Sequence, residues 1–297
     1  MDLLCAERLA DCRLAERDRV IFEDMRVLQN LLDLETSYIP TCNYFGTVQK
    51  DIQPFMRKVV STWMLEVCED QHCEDQVFPL AVNFLDRFLC ACAISRRQLQ
   101  LLAAVCLLLA SKIRQGRSLS VDHLCFYTDH SISPDDMRNW ELLVLSKLKW
   151  AVTAVTGFDY VDHVLERVEW SKESPLIRRH AHILVGLCYT EPEFIQSRPS
   201  VLAAASIGAA VRGLNPPSAA SALTSVCALT HVDPAAAEHV LCHIESVVAS
   251  ESASLQTLPT ANNNKVTSSA SCSSKLMCVA DETGQPETPT DVQDVHF

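Results

Sequence analysis

The sequence predicts an all-α protein: two successive groups of five helices, behind an N-terminal helix and ahead of a polar tail. Three observations predict it. Only 7 of the 297 residues are glycine, too few for the many tight turns of a β-rich chain. Apolar residues recur at three- and four-residue spacing through most of the sequence. Helix start and stop signals punctuate the same stretches. The clearest begins at Ser133-Pro134, continues with Asp135 and Asp136, and closes with Lys147 and Lys149. Cap, N1 proline, acids and cations each stand where the helix terminus favours them.

Taken in order, the periodicity predicts an N-terminal helix near 21–35, then five helices at 53–70, 75–92, 96–113, 120–128 and 134–149. Five more follow at 157–168, 174–190, 199–213, 217–230 and 234–248. Pro199 and Pro216-Pro217 mark starts in the second group and Gly213 a stop. The groups match in helix count and length without a residue-level repeat, which is suggestive of duplication. From about residue 250 Ser, Thr, Ala and Asn dominate, including Asn262-Asn263-Asn264, and the segment reads as a disordered tail. The organisation is therefore an N-terminal segment 1–20, a first helical domain with its preceding helix at 21–152, a second at 153–249, and a tail at 250–297.

Composition narrows the function. At 33.0 kDa, 48% hydrophobic and 21% charged, the chain can bury a sizeable core. A formal charge of −12 excludes a broad electrostatic grip on nucleic acid or an anionic membrane. Asp2, Glu7 and Asp11 interrupt the start before an export signal could form. The longest apolar stretch, Leu101 to Ala110, is too short to span a bilayer. The 14 cysteines then read as reduced thiols. Cys68, Cys90, Cys106 and Cys188 sit in apolar helical patterns, and no C-x-x-C pair supports zinc. His239 and His243 flank Cys242 on one helix face, but an ordinary amphipathic helix gives the same pattern, so no metal or cofactor is expected. No nucleophile elbow, H-E-x-x-H or phosphate loop occurs.

Three features exceed what packing requires. In helix 53–70 the apolar residues Phe55, Met56, Val59, Val60, Trp63, Met64 and Val67 cover about half the circumference, against about 100° for a core-facing stripe. The edge Met56–Val59–Trp63 is either a docking surface or part of a helix buried on both sides, and the wheel favours burial. Second, Lys112 continues the stripe Leu101, Val105, Leu108, and Glu141 shares a face with Met137, Val144 and Leu148. Charges on apolar stripes pair with each other or await a partner. Lys112 is also a cation near a helix C-terminus, which is ordinary, whereas Glu141 stands mid-helix. Third, Leu3-Leu4-Cys5-Ala6-Glu7 fits L-x-C-x-E, a pattern arising by chance about one time in ten in such a chain, and Thr288-Pro289 has the form of a proline-directed phosphorylation site.

Beyond a helical, acidic binding module, these residues alone do not name a partner. The ordered set Leu3-Leu4-Cys5-Ala6-Glu7, Met56-Arg57-Lys58-Val59-Val60, Trp63-Met64-Leu65-Glu66-Val67-Cys68, Asn83-Phe84-Leu85-Asp86-Arg87-Phe88-Leu89, Leu107-Leu108-Leu109-Ala110-Ser111-Lys112, Tyr127-Thr128-Asp129, Leu148-Lys149-Trp150 and Thr288-Pro289-Thr290-Asp291-Val292 resembles the D-type cyclins over essentially the whole chain. Arg138-Asn139-Trp140-Glu141 and the ending look most like the third vertebrate branch.

The resemblance implies two five-helix cyclin boxes and a non-catalytic regulatory subunit of cyclin-dependent kinases four and six. The first box would grip the kinase's mobile N-lobe helix and hold it in its active position, through positions matched here by Lys112 and Glu141. It implies a docking patch at Met56, Val59, Trp63, Glu66, Leu99 and Gln100 for R-x-L segments of substrates and of Cip/Kip inhibitors, reversing the preference for burial. It pairs Arg57 structurally with Asp86. Leu3, Cys5 and Glu7 match a motif that binds retinoblastoma-family proteins. Phosphorylated Thr288 would promote nuclear export and destruction through a ubiquitin ligase, placing the protein in nucleus and cytoplasm. Val59 stands where the family more often has Ile, and Ala6 where a second Cys is common. Ile-Arg-Gln follows Lys112, where many other cyclins are acidic. The rival readings are a transcription-type cyclin-box protein, disfavoured by the acidic balance, and a structural helical adaptor, which leaves Lys112 and Glu141 without a role.

Overall fold

A computed structural model of the chain describes residues 18–214 and 219–256. No strand forms among the described residues, only an isolated bridge between Phe45 and Gln49. The N-terminal helix divides in two, α1 (Arg19–Glu23) and α2 (Met25–Glu35). The division falls at Asp24, whose backbone is extended and whose carboxylate accepts from Arg26 N at 2.9 Å, capping the second piece.

The first five-helix group is α3 (Pro54–Asp70), α4 (Val77–Ala91), α5 (Leu99–Arg114), α6 (Val121–Tyr127) and α7 (Pro134–Lys147). Pro54 and Pro134 occupy first-turn positions, and Ser133 Oγ accepts from Asp136 N at 3.1 Å. The helix expected from 96 starts instead as a 3-10 turn, Arg96–Gln98, held by a Ser95–Gln98 capping box. The second group is α8 (Gly157–Leu165), α9 (Leu176–Thr190), α10 (Pro199–Leu214), α11 (Ala219–Thr230) and α12 (Pro234–Gln256). The last helix runs past residue 250, where the tail was expected to begin, because Ala, Ser and Glu after Val248 continue helical spacing without a breaker.

Each group is built around one submerged helix. In α5 every residue from Leu102 to Ser111 is buried, so the helix is apolar all round. Helices α4, α7 and α3 pack around it. In α10 the run Ala203 to Ala210 is buried among α8, α9, α11 and α12. Small residues permit that crowding. A Cβ on Gly208 would stand 2.8 Å from Leu241 Cδ1 and 2.9 Å from Leu223 Cδ1.

Two buried polar devices cap helices of the second group, and the first also joins the groups. Arg57 (1% exposed) on α3 pairs with Asp86 on α4, Nη2 to Oδ2 at 2.7 Å, and its Nη1 donates to the Tyr189 and Thr190 carbonyls at 2.6 and 2.8 Å. Those carbonyls end α9 and have no intrahelical donor, so one side chain from the first group caps a helix of the second. Buried Glu35, at the end of α2, accepts from Ser200 N and Ser200 Oγ at 2.9 Å each and caps α10. Although α2 precedes the first group in sequence, Leu28 lies in the core of the second, with Leu31 and Leu32 against it.

Candidate functional site

Lys112 leaves the last turn of α5 and Glu141 the middle of α7, and the two helices pack together. Met137, Val144 and Leu148 bury one face of α7 in the core. The α5 end is fixed by Ser111, whose hydroxyl donates to Leu108 O at 2.8 Å and accepts from Leu119 N at 3.1 Å. Arg114 ties the same end to the inter-domain linker, Nη2 to Ala154 O at 3.2 Å, and to Gln76 Oε1 at 2.8 Å. On this rigid base the Lys112 ammonium donates to the Glu141 carboxylate. Of the two outcomes open in the sequence, the charges meet each other. They stay reachable from solvent, at 43% and 20% side-chain exposure.

The surroundings of this pair were not anticipated. Ile113 and Leu142, next in sequence to the two charges, are exposed, as is Trp150 just past α7, the last two at 64% each. A signal was available: Leu142 falls outside the Met137–Val144–Leu148 stripe, an apolar residue with no core to face. A charge pair with exposed apolar side chains on and just past the same two helices is a surface suited to a protein partner.

The six residues proposed for the docking patch divide. Met56, Val59, Glu66 and Gln100 are partly exposed. Trp63 and Leu99 are not, at 1% and 0% exposure, and this corrects their placement as surface residues. Helix α3 packs against α4, α5 and α9, and Trp63 belongs to the core of the first group. Phe55, assigned to the apolar arc of α3, is instead exposed.

Arg57 and Asp86 are brought together, with Tyr44 Oη donating to Asp86 Oδ1 at 2.7 Å as a third member. The Asp86 carboxylate raises the pKa of the Arg57 guanidinium against the opposing effect of burial, while burial first, then Asp86, pushes the Tyr44 phenol well up. Both groups therefore hold their ordinary protonation states. Leu3, Cys5, Glu7 and Thr288 lie outside the described residues. No group of metal-ligating side chains occurs among the described residues, His239 and His243 included.

Two submerged-helix bundles stand in tandem, the first carrying a solvent-reachable charge pair. Residues 26–153 match the family "Cyclin, N-terminal domain" and 155–282 "Cyclin, C-terminal domain". The chain is 44% identical over 302 residues to the rat G1/S-specific cyclin-D2, covering 99% of both chains. It is 48% identical over 215 residues to the human G1/S-specific cyclin-D3, covering 72% of this chain and 74% of that one. Among solved structures, a viral cyclin from herpesvirus saimiri superposes with TM-score 0.58 at 24% identity, over 69% of this chain and 97% of that one, sharing the fold. The chain belongs to the cyclin family, within its D-type branch. As a cyclin it is a non-catalytic regulator of a protein kinase.

Proposed function

We propose that this protein activates cyclin-dependent kinases four and six at the G1/S transition, and directs them to retinoblastoma-family proteins. The observation that carries the reading is the Lys112–Glu141 pair, held on a rigid base, with Ile113, Leu142 and Trp150 exposed on and just past the same helices. The kinase's N-lobe helix docks there, its terminal backbone groups replacing the mutual contact of the two charges. The G1/S designation of the relatives supports the stage of action.

Substrates and Cip/Kip inhibitors dock at Met56, Val59, Glu66 and Gln100. Buried Trp63 and Leu99 form the floor beneath, and Glu66 takes the cation of an R-x-L segment. Leu3, Cys5 and Glu7 engage the retinoblastoma protein directly. Phosphorylated Thr288 marks the protein for nuclear export and a ubiquitin ligase, so that it distributes between nucleus and cytoplasm.

The test is reconstitution with purified kinase six, assayed on a retinoblastoma fragment. The wild-type chain should activate it, and Lys112→Glu should abolish activation with helical circular dichroism unchanged. Undiminished activation by Lys112→Glu would remove the assigned role.

A further inference from the structure

A cleft of about 230 Å³ opens where the C-terminal ends of α4 and α7 meet the segment 37–41. Arg87, Lys147 and Lys149 line it together with Ser37, Thr41 and Cys90, and no aspartate or glutamate does. In a chain with 37 acids against 25 lysines and arginines, that composition is a local inversion of sign. Lys147 and Lys149 have the ordinary task of offsetting helix C-termini. Two such termini carry about half a negative charge each, so three full cations leave a surplus of about two.

Arg87 shows the surplus most clearly. Its Nη1 donates to Ala151 O at 2.9 Å and to Asn83 Oδ1 at 3.3 Å, and the guanidinium lies over the Tyr38 ring, 5.3 Å from its centroid. Those contacts aim the group and use one of its three nitrogens. Among the described residues, Nε and Nη2 donate to nothing, and no carboxylate pairs with Arg87, Lys147 or Lys149. Burial pushes the Arg87 pKa down, and Tyr38 offsets this only in part.

We propose that this cleft receives a phosphorylated side chain of a protein partner bound at the Lys112–Glu141 surface. A phosphate brings about −1.5 to −2 charge, matching the surplus, and three acceptor oxygens for the free guanidinium donors and the Ser37 and Thr41 hydroxyls. The volume lies below the roughly 300–1,000 Å³ of small-molecule pockets and suits a head group on a peptide. Lys147 lies six residues beyond Glu141, about 9 Å along α7 and about 120° round it, so the cleft opens on a neighbouring face of the same helix. The direction of approach rests on the kinase-binding reading; the anion site itself does not.

The test is a nuclear magnetic resonance titration of the full chain with O-phosphothreonine and, separately, inorganic phosphate, at constant ionic strength. Saturable shifts confined to Arg87, Cys90, Lys147 and Lys149 with O-phosphothreonine are expected. The Lys147→Glu/Lys149→Glu variant, altered only at exposed positions, should weaken them at least about tenfold. Saturation by inorganic phosphate alone would mean an adventitious ion only and overturn the proposal, as would diffuse, unsaturating shifts. Lys112→Glu should leave the titration unchanged, so that failure of kinase activation and failure of the cleft are read separately.

Discussion

Replacing Arg57 by alanine tests how the two helical groups are held together. In the parent, the guanidinium makes two bonds to Asp86, at 2.7 and 3.2 Å, and two to the end of α9, at 2.6 and 2.8 Å. Alanine leaves the Asp86 carboxylate buried with only the Tyr44 hydroxyl, and leaves the Tyr189 carbonyl without its donor. Removing one partner of a buried pair costs about 3–5 kcal/mol, and an orphaned carbonyl about 1 more. A loss of about 5 kcal/mol corresponds to a fall of about 10–20 °C in Tm for a body of this size. Calorimetry of the full chain reads it. The Arg57→Ala/Asp86→Ala variant should lose less than the two single losses added together, because the second change removes the charge that the first leaves unpaired. A Tm for Arg57→Ala within about 2 °C of the parent would refute the reasoning, since it would mean that water or a shifted side chain replaces every one of these bonds.

Trp63→Ala should cost about 3–5 kcal/mol in stability, as a fully buried indole does, and so lower phosphorylation of non-docking as well as docking substrates. Met56→Ala with Val59→Ala should instead keep the melting temperature within a few degrees and impair the docking substrate selectively, read by comparing a retinoblastoma fragment with a short peptide. Gly208→Val should cost about 1–3 kcal/mol by thermal denaturation, because the new side chain meets Leu241 and Leu223 across a closed interface. Among the described cysteines, Cys73 should be alkylated well before Cys188 near neutral pH: a hydrogen bond from Cys68 lowers the Cys73 pKa and enlarges its thiolate fraction, whereas burial pushes Cys188 up to about 12 and keeps it protonated. Peptide mapping after brief iodoacetamide treatment gives the order.

The helices were legible because their signals are local. Pro54, Pro134, Pro199 and Pro234 each open a helix, and the apolar run Leu101 to Ala110 announces a submerged one. Long-range choices were not legible. Nothing in the sequence around Leu28 says that α2 covers the second group, because an amphipathic stripe states how much surface it buries and not whose. Trp63 shows the reverse case: the width of the apolar arc of α3 favoured burial, the resemblance moved the residue to the surface, and the structure buries it at 1% exposure. Asp24 divides the N-terminal helix through a single capping bond, a signal present in the sequence and outweighed there by the periodicity on either side.

If the proposed kinase docking holds, the Lys112–Glu141 contact explains how its site is kept ready without a partner. Were both residues isolated on their apolar stripes, each would carry a desolvation cost of several kcal/mol. Paired at 43% and 20% exposure, they satisfy one another, and an ion pair that open to water contributes no more than about 1 kcal/mol. Surrendering it to a partner therefore costs little, while the side chains are already confined to the end of α5 and the middle of α7 by Ser111, Arg114 and the Met137–Val144–Leu148 face. On the proposed reading, affinity would come from burying the exposed Ile113, Leu142 and Trp150, and the two charges would set register, since a partner that presents the wrong backbone dipole would leave both unpaired in a newly dry interface. On this logic Lys112→Ala should leave the fold within about 1 kcal/mol of the parent yet weaken kinase association far more, because the Glu141 carboxylate would enter the interface uncompensated.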